Sequence, residues 1–250
     1  IGLAFNAFIN AMQPLIMREF SIAFSEKNVP KAAEVFRKLI PAAYTLTAFF
    51  LCFASVNSEA IVRAVGGKSF GDAAAVFAIM ALLPVIQNYS MLSGSVLYAS
   101  NKTRLIRNIG IVMVPLGIAA TYFLIAPGSL GGLGQGAVGL AAKTVALEFI
   151  GNNIILFYNS RILSLKFHRY FLHQIYVVVL FLAVAFTCKW AFGHLALAGP
   201  YDWLWRTVMG GIIYVILCLG LIYSAPALFG IDKRQILDLL GKQLARFRKS

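Results

Sequence analysis

Lys143, Thr144, Glu148 and Asn152 stand inside a run from Gly134 to Asn159 that is otherwise poor in charge, and they are the residues most able to do chemistry. On a helix Thr144, Glu148 and Asn152 share one face at successive i, i+4 steps. Lys143 falls roughly 14 Å from Gly134 at 1.5 Å per residue, which predicts a place near a bilayer midplane. A lysine there costs about 2.5–3.5 kcal/mol on insertion scales, so a water-filled cavity or an acid must compensate it. Glu148 lies about 140° round the helix from it, which argues against a pair between the two. Two further polar sets have the same character. Asn6, Asn10 and Gln13 lie at i, i+4 and i+7 beside Pro14, and Gln87, Asn88, Tyr89 and Ser90 follow Pro84. A cation of this kind can balance phosphate, amides can replace water around hydroxyls, and an intramembrane acid can hold a coupling ion. That is the chemistry of a solvated path, in which no bond is made or broken.

Bond-breaking chemistry finds little support. Gly134-Gln-Gly136-Ala-Val-Gly139 has the G-x-G-x-x-G form, but a dinucleotide site needs a strand before it and an acid about 20 positions on. Here an apolar run ending in Ala126-Pro127-Gly128 precedes it, and positions 152–159 offer Asn152, Asn153 and Asn159 without an acid. The glycines read instead as a sharp turn into a closely packed helix. His168, His173 and His194 have no Cys, Asp or Glu at metal-ligand spacing. Asn101-Lys-Thr103 matches a glycosylation acceptor by accident, since it falls in a loop assigned below to the cytoplasm. The expectation is a protein that is not an enzyme and has no cofactor, with a coupling cation left open.

The elements that must position these residues are set by composition. Of 250 residues, 60% are hydrophobic and 12% charged, with a mean hydropathy of +0.80, against about 45–50% and about 25% in soluble domains. An all-α polytopic transmembrane bundle follows; barrel strands would alternate in polarity where this chain runs apolar for whole spans. Cys52, Cys188 and Cys218 lie in apolar runs and act as small hydrophobes. Charge-poor stretches predict seven spans within a bundle over 1–229: 1–24, 40–62, 74–99, 107–126, 134–159, 171–190 and 207–229. The connections are too short for a soluble catalytic domain.

The net charge of +13 is distributed by loop in a way that excludes nucleic acid as the partner. Sixteen of the 22 Lys and Arg residues fall in 25–39, 100–107, 160–170 and the tail, whereas the alternate loops hold only Arg63, Lys68, Lys189 and Arg206. The positive-inside rule then puts the first set and the C-terminus in the cytoplasm and Ile1 outside. A chain entering from outside without a basic leader implies an upstream portion with an odd number of spans. Arg18 and Glu19 read as interfacial anchors. Segment 28–40 carries Val29, Ala32, Ala33, Phe36, Leu39 and Ile40 at helical spacing behind Asn28 as N-cap, which predicts a surface helix on the cytoplasmic leaflet. The tail 230–250 repeats that pattern with Asp232 as cap and an apolar stripe from Ile236 to Phe247, making membrane lipids its expected partner.

A family resemblance rests on three stretches: Gln13-Pro14 running into a basic loop and a span that begins at Pro41; Leu83-Pro84 through Gly94-Ser-Val-Leu-Tyr-Ala-Ser-Asn-Lys-Thr103; and Gly136-Ala-Val-Gly-Leu-Ala141. Over about residues 1–160 the chain resembles the polysaccharide biosynthesis protein family, the O-antigen and exopolysaccharide flippases of the multidrug/oligosaccharidyl-lipid/polysaccharide exporter superfamily. The resemblance implies two six-helix lobes around a cavity that opens to alternate sides, often with two extra C-terminal helices. It implies carriage of a lipid-diphosphate-linked oligosaccharide across the inner membrane of a bacterium or archaeon. The seven spans would be the last seven of fourteen, the second lobe plus the two extra helices, and the partner would be the missing N-terminal half. Pro14, Pro84 and Pro115 would supply bending points.

The alternatives are a cation-coupled multidrug exporter of the same superfamily, with Glu148 carrying the ion, and a membrane-embedded glycosyltransferase or polymerase. The latter wants acids, Arg or His in a sizeable loop, and 191–206 offers Asp202 and Arg206 alone. A noncatalytic scaffold would not need Lys143. Sidedness is directly testable: a cysteine at Ser69 or Ser129 should react with an impermeant thiol reagent added outside, and one at Ser164 should not. Reversed labelling would overturn the topology.

Overall fold

The computed structural model describes residues 2–193 and 202–229, with only the backbone described at 2–8, 68 and 227–228. The proposed tail helix at 230–250 lies outside the described residues. The chain is an all-α polytopic bundle, and six of its helical segments are long and apolar enough to cross a membrane. The helices are α1 (Gly2–Ser25), α2 (Val29–Val56), α3 (Ser58–Gly66), α4 (Ala74–Met80), α5 (Leu83–Ala99), α6 (Thr103–Ile125), α7 (Gly136–Ile162), α8 (Phe167–Gly193) and α9 (Asp202–Ser224). α4 and α5 together make one span, and α1 is the seventh long helix, its apolar run diluted by Asn6, Asn10, Gln13, Arg18 and Glu19.

The separate surface helix expected at 28–40 does not form; it is the first part of α2, which runs unbroken through Pro41. Twenty-eight residues make a rod about 42 Å long, longer than a hydrocarbon core of about 30 Å. The amphipathic first three turns therefore extend past the core while the rest crosses it. Pro41 has no N–H for the carbonyl of Arg37, an exposed residue where water can serve instead. Asn28 caps the helix as expected, its side chain accepting from the Lys31 amide at 3.0 Å. The far end stops earlier than 62. Asn57 closes α2 on the Phe53 carbonyl through both its backbone and its side-chain nitrogen, each at 3.0 Å, and α3 leaves as a separate short helix.

Pro14 and Pro115 likewise sit inside unbroken helices. A span is interrupted at Ala81-Leu82, just before Pro84, where Pro84 has no amide for the Met80 carbonyl and the chain makes a 3-10-type bond from Leu82 to Ile79 at 3.1 Å. α2 forms the centre, two thirds buried along its apolar window, and packs on α1, α5 and α8. α5 carries α7, α7 carries α6, and α8 carries α9. The bundle thus runs α6–α7–α5–α2–α8–α9 in section, with α1 across α2 and α5.

Three reversals at one end share a device. Lys27, Asn101 and Ser164 adopt left-handed φ values of 53°, 60° and 53°. In each, the next amide reaches back to close the preceding helix: Asn28 to Ala23 at 2.8 Å, Lys102 to Leu97 at 2.8 Å and Leu165 to Ser160 at 2.8 Å. These tight turns gather Lys27, Lys31, Lys102, Arg104, Lys166 and Arg169 at one end of the bundle. At the other end, 126–135 folds back so that the amides of Leu133, Gly134 and Gln135 serve the last carbonyls of α6 at 2.7–2.9 Å. Gly132 is obligatory there, since a Cβ would lie 2.0 Å from the Ala126 carbonyl oxygen. The glycine run is a helix-end clasp, as its context indicates, with no strand before it.

Candidate functional site

α6 and α7 form an antiparallel pair whose register is fixed at three heights. Lys143 Nζ donates to Thr121 Oγ1 at 3.0 Å; Leu147 meets Gly117, and Met113 meets Gly151, each glycine leaving room for the opposite side chain at 3.7 Å from where a Cβ would stand. Small residues let the pair approach where they face each other. No residue of α6 is buried, so the helix is held along one edge and the space between α6, α7 and α5 stays open. That space is a groove of about 820 Å³.

One wall of the groove is apolar, built by Ile106, Ile109, Met113, Val114 and Ile118 of α6. The opposite wall is the polar face of α7, where Lys143, Thr144, Glu148 and Asn152 are brought together, with Ser90 of α5 joining from behind. The i, i+4 spacing of Thr144, Glu148 and Asn152 puts them there, since α7 is regular from Gly136 to Ile162. Thr144 donates to its own Leu140 carbonyl at 2.7 Å, and Thr121 to the Gly117 carbonyl at 2.7 Å. The Lys143 ammonium thus leans on a hydroxyl whose own proton is committed elsewhere, so the hydroxyl is a good acceptor.

Along α7, Lys143 lies nearer the start than the span 134–159 would place it. α7 begins at Gly136 and its middle is residue 149, so Lys143 stands about 10 Å from the start of the helix and about 9 Å short of its middle. Its partner Thr121 is correspondingly four residues from the end of α6. Glu148, one residue from the middle, is the most central ionisable group of α7. Its carboxylate has no ion pair and no hydrogen bond among the described residues. A charge at that depth is costly unless a proton, a cation or water serves it.

Asn152 is 1% exposed and joins a network that the sequence reading missed. Its Nδ2 donates to Gln174 Oε1 of α8 at 2.9 Å, Gln174 Nε2 donates to Asn153 Oδ1 at 3.2 Å, and the Gln174 carbonyl accepts from Tyr44 of α2 at 3.0 Å. The Asn152 Oδ1 atom is buried without a partner among the described residues. Gln174 is a lone glutamine in an apolar helix, and that anomaly was the available signal. Asn159, also buried, donates to the Ser93 carbonyl at 2.8 Å and ties α7 to α5.

The remaining residues singled out in the sequence lie elsewhere. Asn88 is buried and reaches Thr47 of α2 at 3.5 Å, so it binds helices together. Gln87 is half-buried on α5, outside the groove lining. On α1, Asn10 is exposed and Gln13 half-buried, and neither lines the groove; the Asn6 side chain lies outside the described residues. The polar face of α1 and that of α7 are therefore not one site. Among the described residues no cluster of His, Cys, Asp or Glu could hold a metal.

Fold and site together define a multi-pass membrane protein with an amphipathic groove, apolar on one wall and polar on the other. No family model, curated protein or solved structure matches the chain, so its own geometry carries the reading. The network predicts a stability effect separable from the groove. Gln174→Leu strands Asn152 and Asn153 and should cost about 1–3 kcal/mol in a denaturant or thermal unfolding assay. Glu148→Gln, which breaks no ion pair or hydrogen bond among the described residues, should change stability by less than about 0.5 kcal/mol.

Proposed function

We propose that this chain is a lobe of a flippase that moves an amphiphile with an anionic polar head, such as a lipid-diphosphate-linked oligosaccharide, across the membrane. The observation that carries the reading is the groove, which offers lipid tails an apolar wall and a polar head the Lys143–Asn152 face. Hydrocarbon resists a diphosphate and sugars, so the head needs a lined path while the tail stays in lipid. Lys143, in the outer third of α7, supplies the positive charge, and its contact to Thr121 is a neutral one that an anion can replace. The Thr144 and Ser90 hydroxyl oxygens, and Asn152 Oδ1, which has no partner among the described residues, supply acceptors for sugar hydroxyls. The apparatus has no bond-making step, and an opposing lobe is needed for the path to open to alternate sides.

A second reading keeps the groove but changes the cargo. The unpaired Glu148 near the middle of α7 favours a cation-coupled exporter in which that carboxylate alternates between a coupling ion and a cationic drug. One assay separates them. In nanodiscs, a photoreactive polyprenyl-diphosphate sugar should label α6 or α7; Lys143→Ala should lower labelling tenfold or more, Lys143→Arg should keep part of it, and Glu148→Gln should leave it unchanged. Labelling that ignores Lys143 would sink the flippase reading, and labelling by a lipophilic cation that is lost in Glu148→Gln would support the exporter.

A further inference from the structure

A second charged site stands at the opposite end of the bundle from the basic turns and independently of the groove. There α2, α3, α8 and α9 enclose a cavity of about 290 Å³. Three cations, Arg63, Lys189 and Arg206, face it with two acids, Glu59 and Asp202, so the site carries one positive charge in excess.

The three cations are committed to different degrees. Arg206 is the most committed: it grips both oxygens of Asp202 one turn away and donates from its third nitrogen to the Gly193 carbonyl at 2.6 Å, which leaves two of its five N–H donors beside a neutralised charge. Lys189 donates to the Val56 carbonyl at the end of α2 at 3.0 Å and stands 3.6 Å from Glu59, which leaves one of its three donors. Arg63 stands over the Trp203 ring, its guanidinium carbon 4.8 Å from the ring centroid, and has no acid and no hydrogen bond among the described residues. A guanidinium held by a ring with no hydrogen bond of its own keeps its N–H donors unspent, and a pair of them on one edge matches two oxygens of a phosphate.

The height of the site indicates the ligand's source. Lys189 lies in the last turn or so of α8 and Arg206 in the first two turns of α9. α8 has 27 residues and is about 40 Å long, so its ends stand at headgroup level beside a hydrocarbon core of about 30 Å. Trp190 and Trp205 are 70% and 61% exposed at the same level, the arrangement of an interfacial aromatic belt.

We propose that Arg63 and Lys189, with Trp203 as the platform, form a binding site for the phosphate of an anionic lipid headgroup. One phosphodiester charge neutralises the excess, the Arg63 edge takes two of its oxygens, and the spare Lys189 donor takes a third. The inference does not depend on the flippase reading, because it concerns a resident lipid at the far end of the bundle.

The test counts lipids retained by the purified chain from phosphatidylcholine nanodiscs doped with phosphatidylglycerol, by native mass spectrometry. Wild type should keep phosphatidylglycerol well above its share of the bilayer. Arg63→Gln, and Lys189→Gln, which can still donate to Val56, should each lower that retention about tenfold, and Arg63→Lys should restore part of it. Lys102→Gln at the basic end serves as a charge-matched control and should retain as wild type does. A set of runs in tens of millimolar inorganic phosphate identifies the source: unchanged retention assigns the lipid, and displacement assigns a phosphate site that also accepts the free ion. A melting temperature for Arg63→Gln within a few degrees of wild type shows that the variant is folded. Equal retention by folded Arg63→Gln and wild type, or equal loss in Lys102→Gln, overturns the proposal.

Discussion

The seam between α6 and α7 governs what this molecule can do. Beyond the Arg104, Arg107 and Asn108 of its first turns α6 is apolar on nearly every side and buries no residue, so it has little hydrophobic reason to choose one orientation in lipid, where tails are as apolar as its own side chains. Its placement rests on the glycine contacts at 117 and 151 and on the Lys143–Thr121 hydrogen bond, with the clasp at 126–135 fixing its end. Those few contacts occupy one edge and leave the rest of the α7 face uncovered. The groove is what remains when a helix is tethered along a line instead of packed over a surface.

The polar groups of the bundle divide by what already serves them. Asn88, Asn159 and Gln174 are buried and find partners on neighbouring helices, which is the usual fate of amides in a membrane bundle. Glu148 and one oxygen of Asn152 find none among the described residues and border the groove, whereas the Tyr89 hydroxyl and the second amide atom of Asn159, Oδ1, are also buried without a partner among them but lie away from it. Groups left unserved beside an open volume are the ones that mark a ligand path, whereas groups served by other helices mark architecture. By that criterion the stripe on α1 is not joined to the path.

Much of this was legible in the sequence. Hydropathy found the long helices, and i, i+4 spacing found the shared face of Thr144, Glu148 and Asn152, because both depend only on local periodicity. The continuity of α2 through Pro41 was not legible, since a surface helix and the protruding base of a span have the same amphipathic pattern. Lys143 stands nearer one end of its helix than a count from Gly134 gave, because the glycine turn runs on to Gln135 and α7 continues to Ile162. Gln174 stood out as a lone glutamine in an apolar helix, but its partner 22 residues away could not be read from local spacing. The Arg63–Trp203 contact joins α3 to α9 across 140 positions and is likewise a product of the tertiary fold.

The central claim is that the polar face of α7 borders a hydrated groove while the same helix is otherwise bathed in lipid. Thr144 lines the groove, whereas Ala146, about 3 Å away in depth, is exposed outside it. The three native cysteines are buried, so a single introduced cysteine can be followed with a charged methanethiosulfonate reagent in nanodiscs. Thr144→Cys should react at least ten times faster than Ala146→Cys. Equal rates at the two positions would contradict the account.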